Sequence, residues 1–568
     1  MVKIVRYFLL FFISNLIYSE NIESGKTVIA NESMVVTRHY LASKVGNEVL
    51  LAGGNAIDAS VAISFALSVV LPQASPIGGG GFMVIHEAET GENFTIDYRE
   101  MAPEKATEDM FIVNGEVDRS LALESYLSSG VPGTVYGLYL AHQKFGKLPW
   151  KELIKPAIKL AINGFDITPT LANSINTYKD KLSKTDDGKD IFFRNGEPLM
   201  AGDLLVQKDL GETLTLISKK GPAGFYKGST AQKIQRDMRL NGGLISLKDL
   251  RNYKAKYREP IEFDYKDLSI VTMAPPSSGG LILGLMFNML EHIDLNTSNP
   301  HDIENIHKIA EIMQIAFSIR SVYMADSDFY DVPSNQFLNK KKAELLSRRI
   351  NRDQSSTAED FDPETFKFKE NTTHYSVADK FGNIVSTTTT LNTAFGSGIV
   401  IKDTGILMNN EMDDFSAAPN QPNYFGLLGA YANRIEPNKR PLSSMTPTIV
   451  FHKDKPYMVT GAQGGSRIIT AVLQVILNYY EFKLSAEEAI YLPRYHHQWQ
   501  PEMLMFESFN EELKEELLNK GYSLYNRPAT YDFSNGITSS IMFEGDKLIG
   551  VSDNRSDDFL SIGTNKNE

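Results

Sequence analysis

Apolar positions along this chain follow two rhythms, one of helices and one of strands. Residues 49–70, VLLAGGNAIDASVAISFALSVV, break at Gly53-Gly54, offer Asn55 as a cap, and continue as an Ala-rich helix. A helix with so little polar surface belongs between other layers. Four glycines in IGGGGFMV (77–84) precede a strand. No Lys-Ser/Thr pair follows them, so close backbone packing is a better reading than a phosphate loop. MVIHEAETGENFTIDYRE reads as a hairpin ending at Arg99. Residues 134–220 and 281–325 carry helical patterns, the first broken at NGFDITPTLA. Between these two blocks, YREPIEFDYKDLSIVTMAPPSSGG gives two strands and a turn. Residues 335–370 are highly charged with few large apolar side chains, which predicts an exposed, flexible linker.

The linker ends at Asn371, inside KENTTHYSVA (369–378). From His374 the pattern alternates, KFGN makes a turn, and Ile384 to Leu391 is β-branched, a strong hairpin signal. The antiparallel return places Thr390 and Asn392 beside Thr372, within a register step. Further on, KPYMVTGAQGGSRIITAVLQVILNYY predicts a strand, a glycine turn and an amphipathic helix from about Ser466. Backbone N–H groups at Gly464-Gly465, ahead of that helix, favour negative charge and form a natural oxyanion hole.

Composition narrows the chemistry. A chain of 568 residues can bury a large core, in two domains or one layered one. A formal net charge of −13 disfavours nucleic acid or an anionic membrane as partner. The absence of cysteine removes disulfides, thiolate zinc sites, iron–sulfur clusters and Cys nucleophiles. Lys3 and Arg6 precede an apolar run from Tyr7 to Ile17, with Ser19 as the small residue before a cut. That pattern predicts a signal peptide over 1–19, since the run falls short of the roughly 20 residues of a membrane span. No later segment is apolar enough to span, so an exported protein is expected.

One candidate for catalysis is a threonine. A chain-terminal threonine can attack an acyl group with its own α-amino group as base, because that amine titrates near roughly pH 7.7–8.0. A cut between Asn371 and Thr372 would create such a terminus, and no metal or cofactor is needed. The competing readings are a strand edge, which suits Thr372-Thr373-His374, and an N-glycosylation pattern at Asn371. His496-His497 could suggest a metal pair, but adjacent strand residues point opposite ways, which favours a structural role.

Several longer stretches carry a family resemblance. TTHYSVAD, TLNTAFGSG, LMNNEMDDFSAAPNQPN, NKRPLSSMTPTIV and GGSRIITAVLQV resemble the small subunit of γ-glutamyltranspeptidases. AGGNAIDASVA, IGGGGFM, IDYREMAPEKAT and SGVPGTVYGL resemble the large subunit, in the same order. The resemblance runs from about Ile29 to Asp558. It implies an N-terminal-nucleophile hydrolase, an α+β four-layer αββα sandwich. It also implies self-cleavage into a large subunit (20–371) and a small catalytic subunit (372–568) that stay together. By resemblance, Thr372 is the nucleophile, Thr390 hydrogen-bonds it, and Gly464 and Gly465 match the oxyanion-hole glycines.

The implied substrates are glutathione and other γ-glutamyl compounds, with water, amino acids or dipeptides as acceptors. A γ-glutamyl group carries an α-carboxylate and an α-ammonium. Arg99 pairs with the carboxylate, Ser443 and Ser444 add hydroxyls, and Glu411, Asp414 and Asn392 hold the ammonium. Singly, Arg99 reads as a strand-end salt bridge, Asp413-Asp414 as a solvated turn and Ser443-Ser444 as a loop; the set in family order reads as a site. Two positions depart from the family pattern. Gln463 stands where many relatives have proline, which bears on loop stiffness. Phe425 stands in the lid-like APNQPNYFGLLGA where many bacterial relatives have a tyrosine bonded to the residue matching Asn392, so a looser lid is expected. The expected protein is a periplasmic or secreted γ-glutamyltransferase and glutathione hydrolase. The rival readings are a cephalosporin-acylase-like amidase and an unprocessed binding homologue.

Overall fold

The computed structural model describes residues 22–357, 372–418, 421–530 and 533–566. The expected signal peptide (1–19) lies outside the described residues, as does Asn371.

Two antiparallel sheets form the centre. In the first, eight strands run in the order Ile22–Gly25, Leu560–Thr564, Ser33–Thr37, Thr372–Ala378, Ile384–Thr390, Gly80–Glu87, Glu92–Asp97 and Lys256–Arg258. In the second, the order is Ile261–Tyr265, Leu268–Thr272, Thr448–His452, Lys455–Thr460, Ile537–Glu544, Lys547–Ser552 and Thr27–Ala30. Ala462–Gln463 pairs with Ile537–Glu544 beside that path.

Three apolar cores separate four layers. One joins the helix Ala56–Val70 and its helical neighbours to the outer face of the first sheet through Tyr375, Val377, Val385 and Ile96. A second lies between the sheets, built by Met34, Val36, Val84, Ala378, Ile449, Val459 and Ile541. The third joins the other face of the second sheet to the helices Gly279–Leu290, Ile303–Tyr323 and Arg467–Tyr480. The order helix, sheet, sheet, helix is the αββα sandwich that the resemblance implied.

Local chemistry explains the elements that frame the site. Asn55 caps Ala56–Val70 with a full capping box closed by Asp58, and every residue of that helix is buried. The glycines before Gly80–Glu87 permit close backbone approach: a Cβ on Gly79 would stand 2.0 Å from the Thr390 carbonyl oxygen. The hairpin Thr372–Ala378/Ile384–Thr390 has the expected register, with Thr372 opposite Thr390. All of its residues are buried, because the sheet is covered on both faces.

One expectation is corrected. Residues 335–357 are not a flexible linker. Ser334–Phe337 and Lys340–Ser347 are helices, with Phe337 and Ala343 in the third core and Leu346 and Ile350 packed on it. Ser356 then bonds Glu311 of the helix Ile303–Tyr323 through its N–H (3.1 Å) and its hydroxyl (2.5 Å). A few apolar residues at helical spacing suffice to dock the segment despite its charge; 358–371 lie outside the described residues. The helix Arg467–Tyr480 has the expected amphipathic pattern, yet Arg467 to Tyr479 are all buried. Its polar side chains meet protein instead of water, as when Gln474 donates to the Tyr495 carbonyl at 2.8 Å.

Candidate active site

The first strand of the central hairpin begins at Thr372, at the open end of the gap between the sheets. Side chains alternate along a strand, so Thr372 shares the inner face with His374 and Ser376. Its Oγ1 lies 3.3 Å from Thr390 Oγ1. Thr390 Oγ1 in turn accepts the Asn392 N–H at 2.8 Å. The Thr372 carbonyl accepts from Arg38 Nη1 at 2.7 Å. His374 does not compete as a base. Its ring bonds Thr388 (2.8 Å) and Ser376 (3.2 Å), and burial drives its pKa down to about 3.

A narrow cleft, with about 30 Å³ of space for water-sized guests, opens over Thr372. Thr390, Asn392, Arg99, Glu411 and Asp414 line it, as do Ser443, Ser444 and Gly465. Nine of the ten residues named from sequence therefore share one space. Gly464 sits behind the wall, where its carbonyl accepts the Arg467 N–H at 3.1 Å. Gly465 is required twice over: its φ is +55°, and a Cβ there would meet the Phe425 ring at 2.4 Å.

Charge is concentrated at one end of the cleft. Arg99 closes the strand-end turn after Asp97, whose Oδ1 accepts the Arg99 N–H at 2.9 Å. Its guanidinium bonds Glu411 through Nη1 and Asp414 Oδ2 through Nη2, the latter at 2.5 Å. The Pro441 and Leu442 carbonyls take its remaining donors at 3.2 and 3.0 Å. Burial opposes the Arg99 charge, but the carboxylates of Glu411, Asp414 and Glu100 outweigh it and hold the cation above its usual range. Burial likewise pushes all three carboxyls up, Glu100 to about 7, against the pull of Arg99. Glu100 is wholly buried 3.8 Å from Arg99 Nη1. Three buried carboxyls crowd one guanidinium, which disfavours their ionising together, most of all for Glu100 and Glu411. Arg320 adds a second cation. It donates to Ser444 Oγ at 3.0 Å and Ser278 Oγ at 2.9 Å, and burial lowers its pKa to about 10. Ser443 Oγ accepts the Met445 N–H at 3.2 Å. Both serine hydroxyls act as acceptors in these bonds, so their protons remain available to a bound anion.

The loop over the cleft is tied at several points. Asn423 Nδ2 donates to Asp414 Oδ1 at 2.9 Å, and the Tyr424 N–H to Asp413 Oδ2 at 2.9 Å. Gln498 Nε2 donates to the Phe425 carbonyl at 3.0 Å, while its Oε1 accepts from Ser466 at 2.5 Å. Phe425 is buried against Gly465, and Asn392 Oδ1 is buried without a hydrogen-bond partner among the described residues. The bond that a tyrosine would supply is thus missing, and the loop is held by these other contacts. His496 bonds Thr470 (2.8 Å) and Gln498 (2.9 Å), a structural engagement.

Sequence reasoning missed Glu100, Arg38, Arg320, Asn423 and Gln498. Glu100 adjoins Arg99 in DYREMAP and was legible as a charged pair at a strand end. The others come from distant segments with no local pattern.

Comparison with known proteins agrees with this geometry. The family model for gamma-glutamyltranspeptidase matches residues 42–562. The glutathione hydrolase proenzyme of Escherichia coli (strain K12) is 44% identical over 542 residues, covering 94% of this chain and 92% of that protein. A cephalosporin acylase from Bacillus halodurans superposes with a TM-score of 0.84 at 25% identity, covering 96% of this chain and 97% of that one. The γ-glutamyltranspeptidase of Helicobacter pylori superposes with a TM-score of 0.56 at 44% identity, over 57% of this chain and 93% of that one. The chain belongs to the gamma-glutamyltranspeptidase family.

Proposed function

We propose that this protein is a γ-glutamyltransferase and glutathione hydrolase that matures by cutting itself before Thr372. One observation carries the reading: a threonine at the start of a strand faces a second threonine, in a cleft whose far end holds fixed charges of both signs.

Maturation begins when Thr372 Oγ1 attacks the Asn371 carbonyl carbon. The peptide C–N bond breaks, an ester replaces it, and the α-amino group of Thr372 is freed. Water then hydrolyses the ester, giving a large piece ending at Asn371 and a small piece, 372–568. In the mature enzyme the α-amine takes the proton of Thr372 Oγ1 as the oxygen attacks the γ-carbonyl carbon of the donor. The Gly464 and Gly465 N–H groups stabilise the oxyanion. The amine then protonates the departing amine, leaving a γ-glutamyl ester on Thr372. Water, or the amine of an amino acid or dipeptide, enters by the same proton path and releases the group.

Arg99 with Ser443 and Ser444 binds the α-carboxylate; Glu411, Asp414 and Asn392 bind the α-ammonium. In the empty cleft these charges satisfy one another, so the substrate zwitterion exchanges ion pairs and adds no net buried charge. The likeness to a cephalosporin acylase keeps a second reading in view, an amidase for glutaryl-type side chains. A glutaryl group has no ammonium to meet Glu411 and Asp414, which supports the first reading. Assaying matched γ-glutamyl and glutaryl amides tests it: the γ-glutamyl amide is expected to be cleaved at least a hundredfold faster in kcat/KM, and equal rates would overturn it.

Export to the periplasm or beyond belongs to the same proposal, supported by the Lys3/Arg6 and Tyr7–Ile17 pattern. Among the described residues no helix is long and apolar enough to cross a membrane.

A further inference from the structure

Lys181 sits on the short helix Lys179–Leu182, in the segment before the cut, and is almost fully buried. Its ammonium reaches into the part that follows the cut. Nζ donates to Thr393 Oγ1 at 3.1 Å and to the Ala394 carbonyl at 3.0 Å. Its stem passes Gly398, where a Cβ would stand 2.4 Å from Lys181 Cγ.

Both acceptors are neutral. The carboxylate that acts on Lys181 is that of Glu124, which bonds Lys184 Nζ at 2.5 Å, and Lys184 opposes the lysine charge. The Tyr178 ring stands 5.8 Å away. Burial lowers the Lys181 pKa to about 7. A methionine or leucine would fill this volume without that cost; what the lysine adds is its polar head.

The turn that Lys181 grips is strained and adjoins the nucleophile. Asn392 (φ +75°) and Phe395 (φ +58°) are left-handed non-glycine residues, and Gly396 and Gly398 are left-handed as well. Such a backbone persists when outside contacts over-determine it. Thr393 Oγ1 also donates to the Gly396 carbonyl (3.1 Å) and accepts Asn410 Nδ2 (2.8 Å). The Asn410 carbonyl accepts Asn392 Nδ2 at 3.0 Å. From Asn392 the path continues through its N–H to Thr390 Oγ1 and on to Thr372 Oγ1.

We infer that Lys181 is a positioning residue for the threonine pair. By holding Thr393 and Ala394 it sets the turn from which Asn392 orients Thr390, and hence the oxygen of Thr372. The inference rests on Thr372 being the nucleophile. It requires that Lys181 affect the chemical step more than binding of the γ-glutamyl end, because Arg99, Ser443 and Ser444 at the α-carboxylate lie on other segments and Asn392 is one of three groups at the α-ammonium.

The test compares cleaved wild-type enzyme with cleaved Lys181→Met and Lys181→Gln, using a γ-glutamyl anilide as donor. K181M is expected to lower kcat tenfold or more with the donor KM within twofold of wild type. K181Q, which keeps an amide donor, is expected to recover most of the loss. Thr393→Val removes the acceptor hydroxyl while keeping the lysine; it is expected to show the same split, and decides the matter if K181M does not fold or cleave. Wild-type kcat in K181M, or in T393V where that variant decides, would overturn the inference. So would equal losses in K181M and K181Q with KM rising in step. Thr372→Ala, measured in parallel, separates the two claims: an active T372A breaks the nucleophile assignment, whereas an inactive T372A beside a normal K181M breaks only the role of Lys181.

Discussion

Thr372 can be tested by substitution. T372A is expected to leave the precursor uncut and inactive, measured by denaturing electrophoresis and a γ-glutamyl transfer assay. T372S keeps a hydroxyl and an α-amine, and is expected to cut and retain activity. Arg99→Gln removes a buried cation from between Glu411 and Asp414. Breaking a buried pair costs about 3–5 kcal/mol, so donor kcat/KM is expected to fall by about two to four orders of magnitude. Glu100 gives a pH signature. Burial raises its pKa to about 7, so above that pH it ionises and competes with the donor carboxylate for Arg99. Donor KM is expected to rise from pH 7 to 9 in the wild type and to rise less in Glu100→Gln. Lys181 gives a stability signature. Its pKa is about 7 in the fold and about 10.4 in the unfolded chain, which therefore binds more protons between those values. Its burial cost is full below pH 7 and is lost as pH rises toward 10.4. The urea midpoint of wild type relative to K181M is expected to increase from pH 7 to 9. At this scale the sequence was informative where chemistry is local. Thr372, Arg99 and Asp414 stand in short distinctive strings, and Thr390 followed from hairpin register. Arg320 and Lys181 were not legible because each reaches the site across more than a hundred residues.

Among the elements, the glycine turn before Arg467–Tyr480 makes the sharpest claim. Gly465→Ala places a Cβ into the Phe425 ring at a left-handed position and disturbs the proposed oxyanion donor. Loss of one such donor costs roughly 10²–10³ in kcat, and a fall of that order is expected in pre-cut enzyme. The hairpins, the capped helix Ala56–Val70 and the packing role of Gly79 were readable because turn and cap residues act on their immediate neighbours. The expected linker at 335–370 failed over its described part, 335–357, for the opposite reason. Composition averages over the window, whereas Phe337, Ala343 and Ile350 dock it through position. The amphipathic pattern of Arg467–Tyr480 was legible, but its polar side chains are satisfied by other protein groups, so polarity does not mark a solvent face.

At the scale of the whole molecule, the layered architecture came from family resemblance and not from periodicity. Strands covered on both faces lose the alternation that marks one wet side, and Thr372–Ala378 is an instance. The same layering determines what a cut would do. Thr372–Ala378 lies between Ser33–Thr37 and Ile384–Thr390, and Leu560–Thr564 lies between Ile22–Gly25 and Ser33–Thr37. Pieces on either side of 371/372 would thus share one sheet and all three cores, and are expected to stay together until denatured. Intact mass of the purified protein under denaturing conditions tests the central claim most directly. The expected result is two chains, the smaller spanning 372–568 with threonine at its amino terminus. A single uncut chain with full γ-glutamyl transfer activity, or a cut at another bond, would contradict it.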